Sequence, residues 1–243
     1  MQIKGKTALV TGAAKRVGRQ IAWTLAEKGA NILVHYHRSG PEAESLVSEI
    51  KKLKVSASAF RADLAKASDI RKMASDIFKE IPQIDILVNS ASLYYKTPLK
   101  SVTEEDWDKL MDANLKGPFL LSREIGIRMA DGRGGKIVNI ADWSGFRPYK
   151  DFAPYCASKG GLITLTKSLA RDLAPKVLAN AVAPGPILPP PDMSEEEKAA
   201  VAKSTLLGRW GSPEDVANAV IFLLENDFIN GAVLVVDGGR SGG

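Results

Sequence analysis

The sequence has few of the residues that build disulfides and metal centres. Its 243 residues include one cysteine, Cys156, and only two histidines. A single cysteine excludes an intrachain disulfide, and so few thiols and imidazoles lead us to expect no metal site. This composition fits a reducing compartment, and we expect a cytoplasmic protein.

Long hydrophobic runs and blocks of like charge are also missing. No apolar stretch approaches the roughly 18 residues of a membrane-spanning helix, and residues 1–6 form no signal-like region. We therefore expect no membrane partner. The net charge is +5 and the pI about 9.2, but the basic residues are dispersed among acidic ones. This pattern favours a phosphorylated small molecule over nucleic acid as the partner.

Short β-branched runs alternate with amphipathic stretches along the whole chain. We predict strands at residues 7–10, 31–36, 55–60, 84–89, 135–141, 177–182 and 232–236. Helices are predicted at residues 17–28, 41–53, 68–80, 154–173 and 213–224, with another after a capping motif at Thr103. Because the strands are apolar throughout, the pattern predicts one α/β domain over residues 1–243, a Rossmann-type doubly wound parallel sheet. Ligands of such sheets bind beyond the carboxyl ends of the strands.

A loop with two glycines follows the first predicted strand. Residues 11–18 read TGAAKRVG, in which Gly12 permits a tight turn and Gly18 lets the helix pack closely on the strand. The helix N-terminus that follows offers free N–H groups to a pyrophosphate. A plain strand-to-helix turn is the alternative, but the surrounding pattern favours a nucleotide site with contacts from Gly12, Arg16, Val17 and Gly18.

The second predicted strand ends in a polar and cationic cluster, His35-Tyr36-His37-Arg38-Ser39. An NAD site would place a carboxylate here for the ribose 2′-hydroxyl, and none is present. The cluster suits a 2′-phosphate instead, with Arg38 able to bind it in a bidentate manner. The alternative, in which the histidines are ordinary polar residues of a strand edge, does not account for the missing acid. The sequence therefore favours NADP(H) as the cofactor.

Tyr155 and Lys159 are four residues apart on the helix after the fifth strand, so they share one face. A free tyrosine has a pKa of about 10 and is a poor acid–base catalyst near neutrality. A neighbouring ammonium favours the phenolate, so we predict that Lys159 brings the pKa of Tyr155 towards the working range.

These motifs occur with Asn89-x-Ala91, Asn114, Pro184-Gly185 and a terminal Asp237-Gly238-Gly239. In this order and spacing, the chain resembles the short-chain dehydrogenase/reductase family over essentially its whole length. The resemblance implies that Tyr155 donates a proton, that Lys159 binds the nicotinamide ribose, and that Asn114 holds a water in the proton relay. It also implies that Asp63 contacts the adenine of the cofactor and that a substrate loop spans about residues 186–210. A homotetramer built on the long helices and the last strand is implied as well. The further cofactor contacts that it implies are Asp63, Leu64, Asn89, Ser90, Ala91, Pro184, Gly185 and Ile187.

Two departures from the family pattern point to a subfamily. Arg16 stands where the family pattern has the middle glycine of the loop. Asp142 stands where the family has a serine, thirteen residues before Tyr155. With Ser92 and Tyr94, these residues resemble the pteridine reductases. That resemblance implies a pterin-like substrate lying flat between Arg16 and Tyr94, contacted by Ser92, with Asp142 and Tyr155 protonating ring nitrogens. In the alternative interpretation, Asp142 is a loop acid or helix cap and Tyr94 only covers the core.

Two other functions stay open at this point. A carbonyl reductase, such as a 3-oxoacyl thioester (acyl carrier protein) reductase, is possible because one fold hosts many substrates. The replacement of serine by Asp142 argues against it. A non-catalytic NADP-binding sensor is the second alternative, and the intact set of Asn114, Tyr155 and Lys159 argues against that.

Overall fold

Seven parallel strands form one sheet in this computed structural model, which describes residues 1–190 and 193–242. The strands run in the order β3-β2-β1-β4-β5-β6-β7, and every neighbouring pair is parallel. Their bounds are β1 Thr7–Val10, β2 Asn31–Tyr36, β3 Ala57–Arg61, β4 Ile86–Asn89, β5 Gly135–Ile140, β6 Val177–Pro184 and β7 Val233–Val236. The predicted doubly wound sheet is confirmed.

Over residues 1–190 and 193–242, the sheet is accompanied by eight α-helices. They are α1 Arg16–Glu27, α2 Gly40–Lys51, α3 Ala67–Glu80, α4 Glu104–Met111, α5 Gly117–Asp131, α6 Ala153–Asp172, α7 Glu195–Lys203 and α8 Pro213–Glu225. The apolar sides of α1, α2 and α8 pack on one face, and those of α3, α5 and α6 pack on the other. Within the described residues, no helix is long and apolar enough to cross a membrane.

The predicted elements are present, with small shifts at their ends. The third strand begins at Ala57 rather than at residue 55, because its pairing with β2 starts where Ala57 lies opposite Ile32. The capping motif is confirmed, since Thr103 Oγ1 accepts from the Asp106 amide while the Asp106 carboxylate accepts from Thr103.

The strand order reverses between β1 and β4, and this opens the crevice in which a ligand can lie. Thr11 ties the two loops together at this point, because its Oγ1 accepts hydrogen bonds from the amides of Ser90 and Ala91 at 2.9 and 3.0 Å. Below them, Asn89 Nδ2 donates to Asn139 Oδ1 of the neighbouring strand at 2.8 Å. These hydrogen bonds therefore hold the bottom of the crevice in place.

Candidate active site

The loop after β1 has the close backbone packing that a pyrophosphate site needs. Gly12 has a φ of +63°, and a Cβ there would lie 2.8 Å from the Ala91 Cα. A Cβ on Gly18 would lie 2.4 Å from the Gly12 carbonyl oxygen. Lys15, which precedes α1, makes no side-chain cap, so the first N–H groups of the helix stay available for an anion.

Substitution of Gly18 by alanine is expected to raise the Kd for NADPH by about tenfold, or 1.4 kcal/mol. The added methyl group must push the Gly12 carbonyl aside and so deform the loop. Fluorescence titration with NADPH measures the change. Gly160→Ala in α6 is the matched control, because its Cβ would come no closer than 3.4 Å to other atoms. Equal NADPH affinity in the wild type and Gly18→Ala would contradict this account of the loop.

His35 lies beneath the loop rather than at its surface. The ring is 2% exposed, its Nδ1 accepts from the Gly12 amide at 3.1 Å, and its Nε2 lies 3.2 Å from the Ala62 carbonyl oxygen. Burial lowers the pKa of His35 to about 4, so the ring is neutral and Nε2 carries the proton. Both ring nitrogens are engaged, so we propose that His35 supports the loop and does not bind the 2′-phosphate.

The remaining cations at the end of β2 are open to solvent. His37 is half-buried and Arg38 is exposed, beside Tyr36 and Ser39. Arg61, at the end of β3, donates from Nε to the His37 carbonyl oxygen at 3.2 Å. The sequence analysis did not identify Arg61, because its place beside His37 depends on the pairing of β2 with β3.

Asp63 and Leu64 follow β3 on the same side of the crevice. Asp63 Oδ2 lies 3.9 Å from His37 Nε2, and Leu64 is buried with its carbonyl facing Gly117. A cavity of about 420 Å³ opens beside Asp63 and His37. Both residues therefore lie at the end of the crevice where the sequence predicts the adenosine part of a nucleotide.

Arg16 takes the backbone conformation of the glycine that it replaces. Its φ is +53°, a left-handed value that costs a non-glycine residue about 1 kcal/mol. The exposed side chain crosses the crevice, and Nη2 donates to the Leu188 carbonyl oxygen at 3.1 Å. Arg16 thus links the phosphate loop to the segment after β6. Of the predicted substrate loop, residues 186–210, Pro191 and Asp192 lie outside the described residues.

Asp142 is the centre of the hydrogen-bonded cluster at the other end of the crevice. Its Oδ2 accepts from the Tyr155 hydroxyl at 2.8 Å. Its Oδ1 accepts from the Ser144 amide at 2.7 Å and from the Tyr149 hydroxyl at 3.1 Å. Asp142 therefore contacts the predicted proton donor directly, and Tyr149 is a partner that the sequence analysis missed.

The predicted direction of the Tyr155 pKa is wrong for this structure. Burial, followed by the negative charge of Asp142, raises the pKa of Tyr155 well above its ordinary value. Lys159 is close, with Nζ 5.8 Å from the centre of the Tyr155 ring, but Nζ donates to the Ile140 carbonyl oxygen at 2.9 Å. Burial lowers the pKa of Lys159 to about 8. Tyr155 is consequently a neutral hydrogen-bond donor.

Asn114 joins the loop after β4 to α6. It lies in a π-helical turn, Asp112–Lys116, between α4 and α5. Its Oδ1 accepts from the Leu93 amide at 2.8 Å, and its Nδ2 donates to the Leu93 carbonyl oxygen at 2.9 Å. Ser92 Oγ also donates to Asn114 Oδ1, at 3.3 Å. Asn114 therefore fixes the segment that carries Ser92 and Tyr94.

Tyr94 lies against the catalytic cluster. Its ring is stacked on Phe152 at 4.8 Å, meets the Tyr155 ring edge-on at 4.9 Å, and is 51% exposed.

Ser144, the nearest serine to the position that Asp142 occupies, is fully buried and cannot reach a substrate.

The end of β6 completes the crevice. Pro184 and Ile187 are buried, and a Cβ on Gly185 would lie 2.5 Å from the Cβ of Asp237. This close approach places the segment after β6 against the C-terminal turn. That turn brings in Arg240, another residue that the sequence analysis did not identify.

Comparisons with known proteins match this architecture. The model of the short chain dehydrogenase family matches residues 6–201. 3-oxoacyl-(acyl-carrier-protein) reductase FabG of Staphylococcus epidermidis is 37% identical over 241 residues, covering 96% of this chain and 98% of the relative. 2-dehydro-3-deoxy-D-gluconate 5-dehydrogenase of Pseudoalteromonas atlantica is 34% identical, covering 99% and 97%. A solved structure, blue fluorescent protein from a metagenomic library in complex with NADPH, superposes with a TM-score of 0.92 at 33% identity and covers 99% of each chain.

Proposed function

Because the chain belongs to the short chain dehydrogenase family, an oxidoreductase family, we propose that it is an NADPH-dependent reductase of pterin-like heterocycles. Asp142 carries this proposal. Its Oδ2 accepts from the Tyr155 hydroxyl at 2.8 Å, so a carboxylate and a phenol stand side by side at the reacting end of the crevice. A carboxylate accepts hydrogen bonds only, whereas a neutral phenol can donate one. The pair fits a heterocycle that carries both an N–H group and a hydrogen-bond acceptor, as a pterin ring does.

NADPH, when bound, supplies the hydride. The substrate acceptor takes the place of Asp142 as the partner of the Tyr155 hydroxyl, and the substrate N–H donates to Asp142 Oδ2. This second contact offsets the negative charge that raises the Tyr155 pKa. Asp142 keeps its orientation because Oδ1 is held by the Ser144 amide and by Tyr149. Tyr155 would then pass its proton to the nitrogen of the C=N bond whose carbon receives the hydride, with Lys159 nearby to stabilise the phenolate.

A crystal soaked with NADP and dihydrobiopterin tests this arrangement. We expect the ring to lie against Tyr94, with a ring nitrogen in contact with the pair formed by Asp142 and Tyr155. A ring bound elsewhere, or bound without a contact to Asp142, would contradict the pterin assignment.

A second candidate is the reduction of a 3-oxoacyl thioester, which the named relatives favour over the pterin assignment. The reductase of Staphylococcus epidermidis matches nearly the full length of this chain. The local geometry argues the other way, because Ser144 is buried and Asp142 stands where a neutral hydroxyl would contact a ketone. An anionic carboxylate cannot donate a hydrogen bond to a carbonyl oxygen.

The cofactor assignment rests on the charge at the end of β2. Arg38 and Arg61 bring positive charge to this side of the crevice, beside His37. Arg38 is exposed and can turn towards a phosphate without breaking a structural contact of the core. NADPH bound to a solved relative of the same fold supports the assignment.

Replacement of Arg38 by alanine is expected to lower kcat/KM for NADPH by about 10- to 100-fold, because hydrogen bonds to a charged group contribute about 1.5–3 kcal/mol. The value for NADH, which lacks the 2′-phosphate, is expected to stay within about twofold. Steady-state kinetics with both cofactors measures the two values. Lys51→Ala, an exposed cation at the end of α2, is the control. A parallel loss with both cofactors would contradict the role of Arg38.

We propose that the protein is a homotetramer, and a cytoplasmic location also stays a prediction. Several of the exposed apolar side chains lie on or beside the helices and the last strand. Trp107, Phe119 and Ile127 lie on α4 and α5, and Phe222, Phe228 and Val235 lie on and after α8 and on β7. Two distinct self-complementary surfaces generate a tetramer of two-fold symmetry. Light scattering is expected to give four times the 26.1 kDa chain mass, and a monomer at micromolar concentration would refute the assembly.

A further inference from the structure

Aromatic rings form a continuous wall that begins at the catalytic tyrosine. Tyr94 contacts Tyr155 and is stacked on Phe152, with ring centres 4.9 and 4.8 Å apart. Phe152 meets Tyr149 edge-on at 5.8 Å, and Tyr149 meets Trp143 edge-on at 5.1 Å. We call Tyr94, Phe152, Tyr149 and Trp143 the aromatic wall. It connects the reacting end of the crevice to the C-terminal turn.

Arg240 lies at the end of this wall. The carbon of its guanidinium is 4.6 Å from the centre of the Trp143 ring. Its backbone is fixed by the C-terminal turn, in which the Asp237 carboxylate accepts from the Gly239 and Ser241 amides at 2.9 and 2.7 Å. The backbone that carries the cation is therefore held by hydrogen bonds of the turn.

The charge of Arg240 acts on two rings of the aromatic wall. In the part of the chain that the structure describes, no carboxylate lies within 4.0 Å of this guanidinium. The cation opposes the rise in pKa that burial and Asp142 impose on Tyr94 and Tyr149. Its field thus reaches the same rings that a substrate would contact.

We propose that Arg240 forms an anion subsite for the substrate, so that the natural substrate carries a carboxylate or phosphate group at the end away from the reduced bond. This inference rests on the proposed reductase function. The charges are complementary along the wall: Asp142 accepts an N–H at the inner end, and Arg240 binds an oxyanion at the outer end. A guanidinium is suited to both groups because its N–H donors match their oxygen atoms.

Two matched pairs of probes test the subsite. Dihydroneopterin and its monophosphate form the phosphate pair, and dihydropteroate and its primary amide form the carboxylate pair. In the wild type, we expect the charged member of at least one pair to have a kcat/KM about tenfold above its neutral partner. Arg240→Gln is expected to bring that ratio close to one, and Arg240→Lys to keep part of it. The pair that shows the preference identifies which oxyanion is bound.

Arg128→Gln is the matched control, because Arg128 also stacks on an aromatic ring, 4.3 Å from the centre of Phe78, on the α3–α5 face. Its charged-to-neutral ratio should equal that of the wild type. Dissociation constants of the same pairs with NADP present, from calorimetry, are measured in parallel. If no probe is reduced, the proposed function fails, and the binding ratios still decide on the subsite. Ratios near one in the wild type, or unchanged in Arg240→Gln, would show that Arg240 only packs on Trp143.

Discussion

Replacement of Tyr155 by phenylalanine is expected to lower kcat/KM for the reduction by about 100- to 10,000-fold, the usual contribution of a positioned general acid. The ring would still fill the space between Tyr94 and the helix, so the fold should survive. What is lost is the hydroxyl that donates to Asp142 and, in the reaction, to the substrate. Assays of NADPH oxidation measure the rate, and a titration with NADPH measures cofactor binding.

Tyr149→Phe is the matched control for this prediction. Tyr149 also donates its hydroxyl to Asp142, but to the other carboxylate oxygen. We expect a loss at least tenfold smaller than that of Tyr155→Phe. Unchanged reductase rates in Tyr155→Phe would remove Tyr155 as the proton donor and favour a binding protein without catalysis.

Replacement of Asp142 by serine is expected to exchange the substrate preference. With dihydrobiopterin, kcat/KM should fall by about 10- to 100-fold, since a hydrogen bond to a charged group contributes about 1.5–3 kcal/mol. With acetoacetyl thioester, activity should appear or rise, because the serine hydroxyl can donate to a carbonyl oxygen. The removal of the neighbouring charge also removes one of the causes that raise the Tyr155 pKa.

Asp142→Asn separates the effect of the Asp142 hydrogen bonds from the effect of its charge. It keeps an acceptor oxygen near Tyr155 but removes the charge, so its pH profile should resemble that of Asp142→Ser while its pterin activity stays higher. Steady-state kinetics between pH 5 and 9 compares the three proteins. A loss of both activities in Asp142→Ser, with a normal unfolding temperature, would contradict the exchange.

Most of the fold follows from local features of the sequence. Apolar runs such as residues 31–36 and the glycines of the loop after β1 predict the strands and the turn, because each depends on the residues near it in the chain. The start of β3 lies at Ala57 rather than at residue 55, because strand pairing, which is not local, decides where a strand begins.

The residues of the site could be predicted only where they belong to a sequence motif. Tyr155, Lys159 and Asp142 lie close in sequence, and the structure brings Asp142 onto the Tyr155 hydroxyl. The burial of His35 could not be predicted, because it depends on contacts with Gly12 and Ala62, which lie outside β2. Arg240 lies almost a hundred residues from Trp143, and no spacing pattern indicates their contact.

The pKa of Tyr155 was predicted in the wrong direction for a related reason. The interpretation from sequence used the nearest cation on the same helix, Lys159, and left out burial. In the folded chain, Tyr155 is 5% exposed and touches an anion, and both effects favour the neutral phenol. In the proposed reaction, the N–H group of the substrate offsets the Asp142 charge.

The oxidation of NADPH by the wild-type protein with dihydrobiopterin and with acetoacetyl thioester, compared side by side, tests the central claim most directly. The claim is that Asp142 and Tyr155 together select a heterocycle that offers both an N–H group and a hydrogen-bond acceptor. We expect turnover of the dihydropterin and at least about tenfold lower kcat/KM for the thioester. Activity on the thioester alone would contradict the pterin assignment and establish the carbonyl reductase in its place.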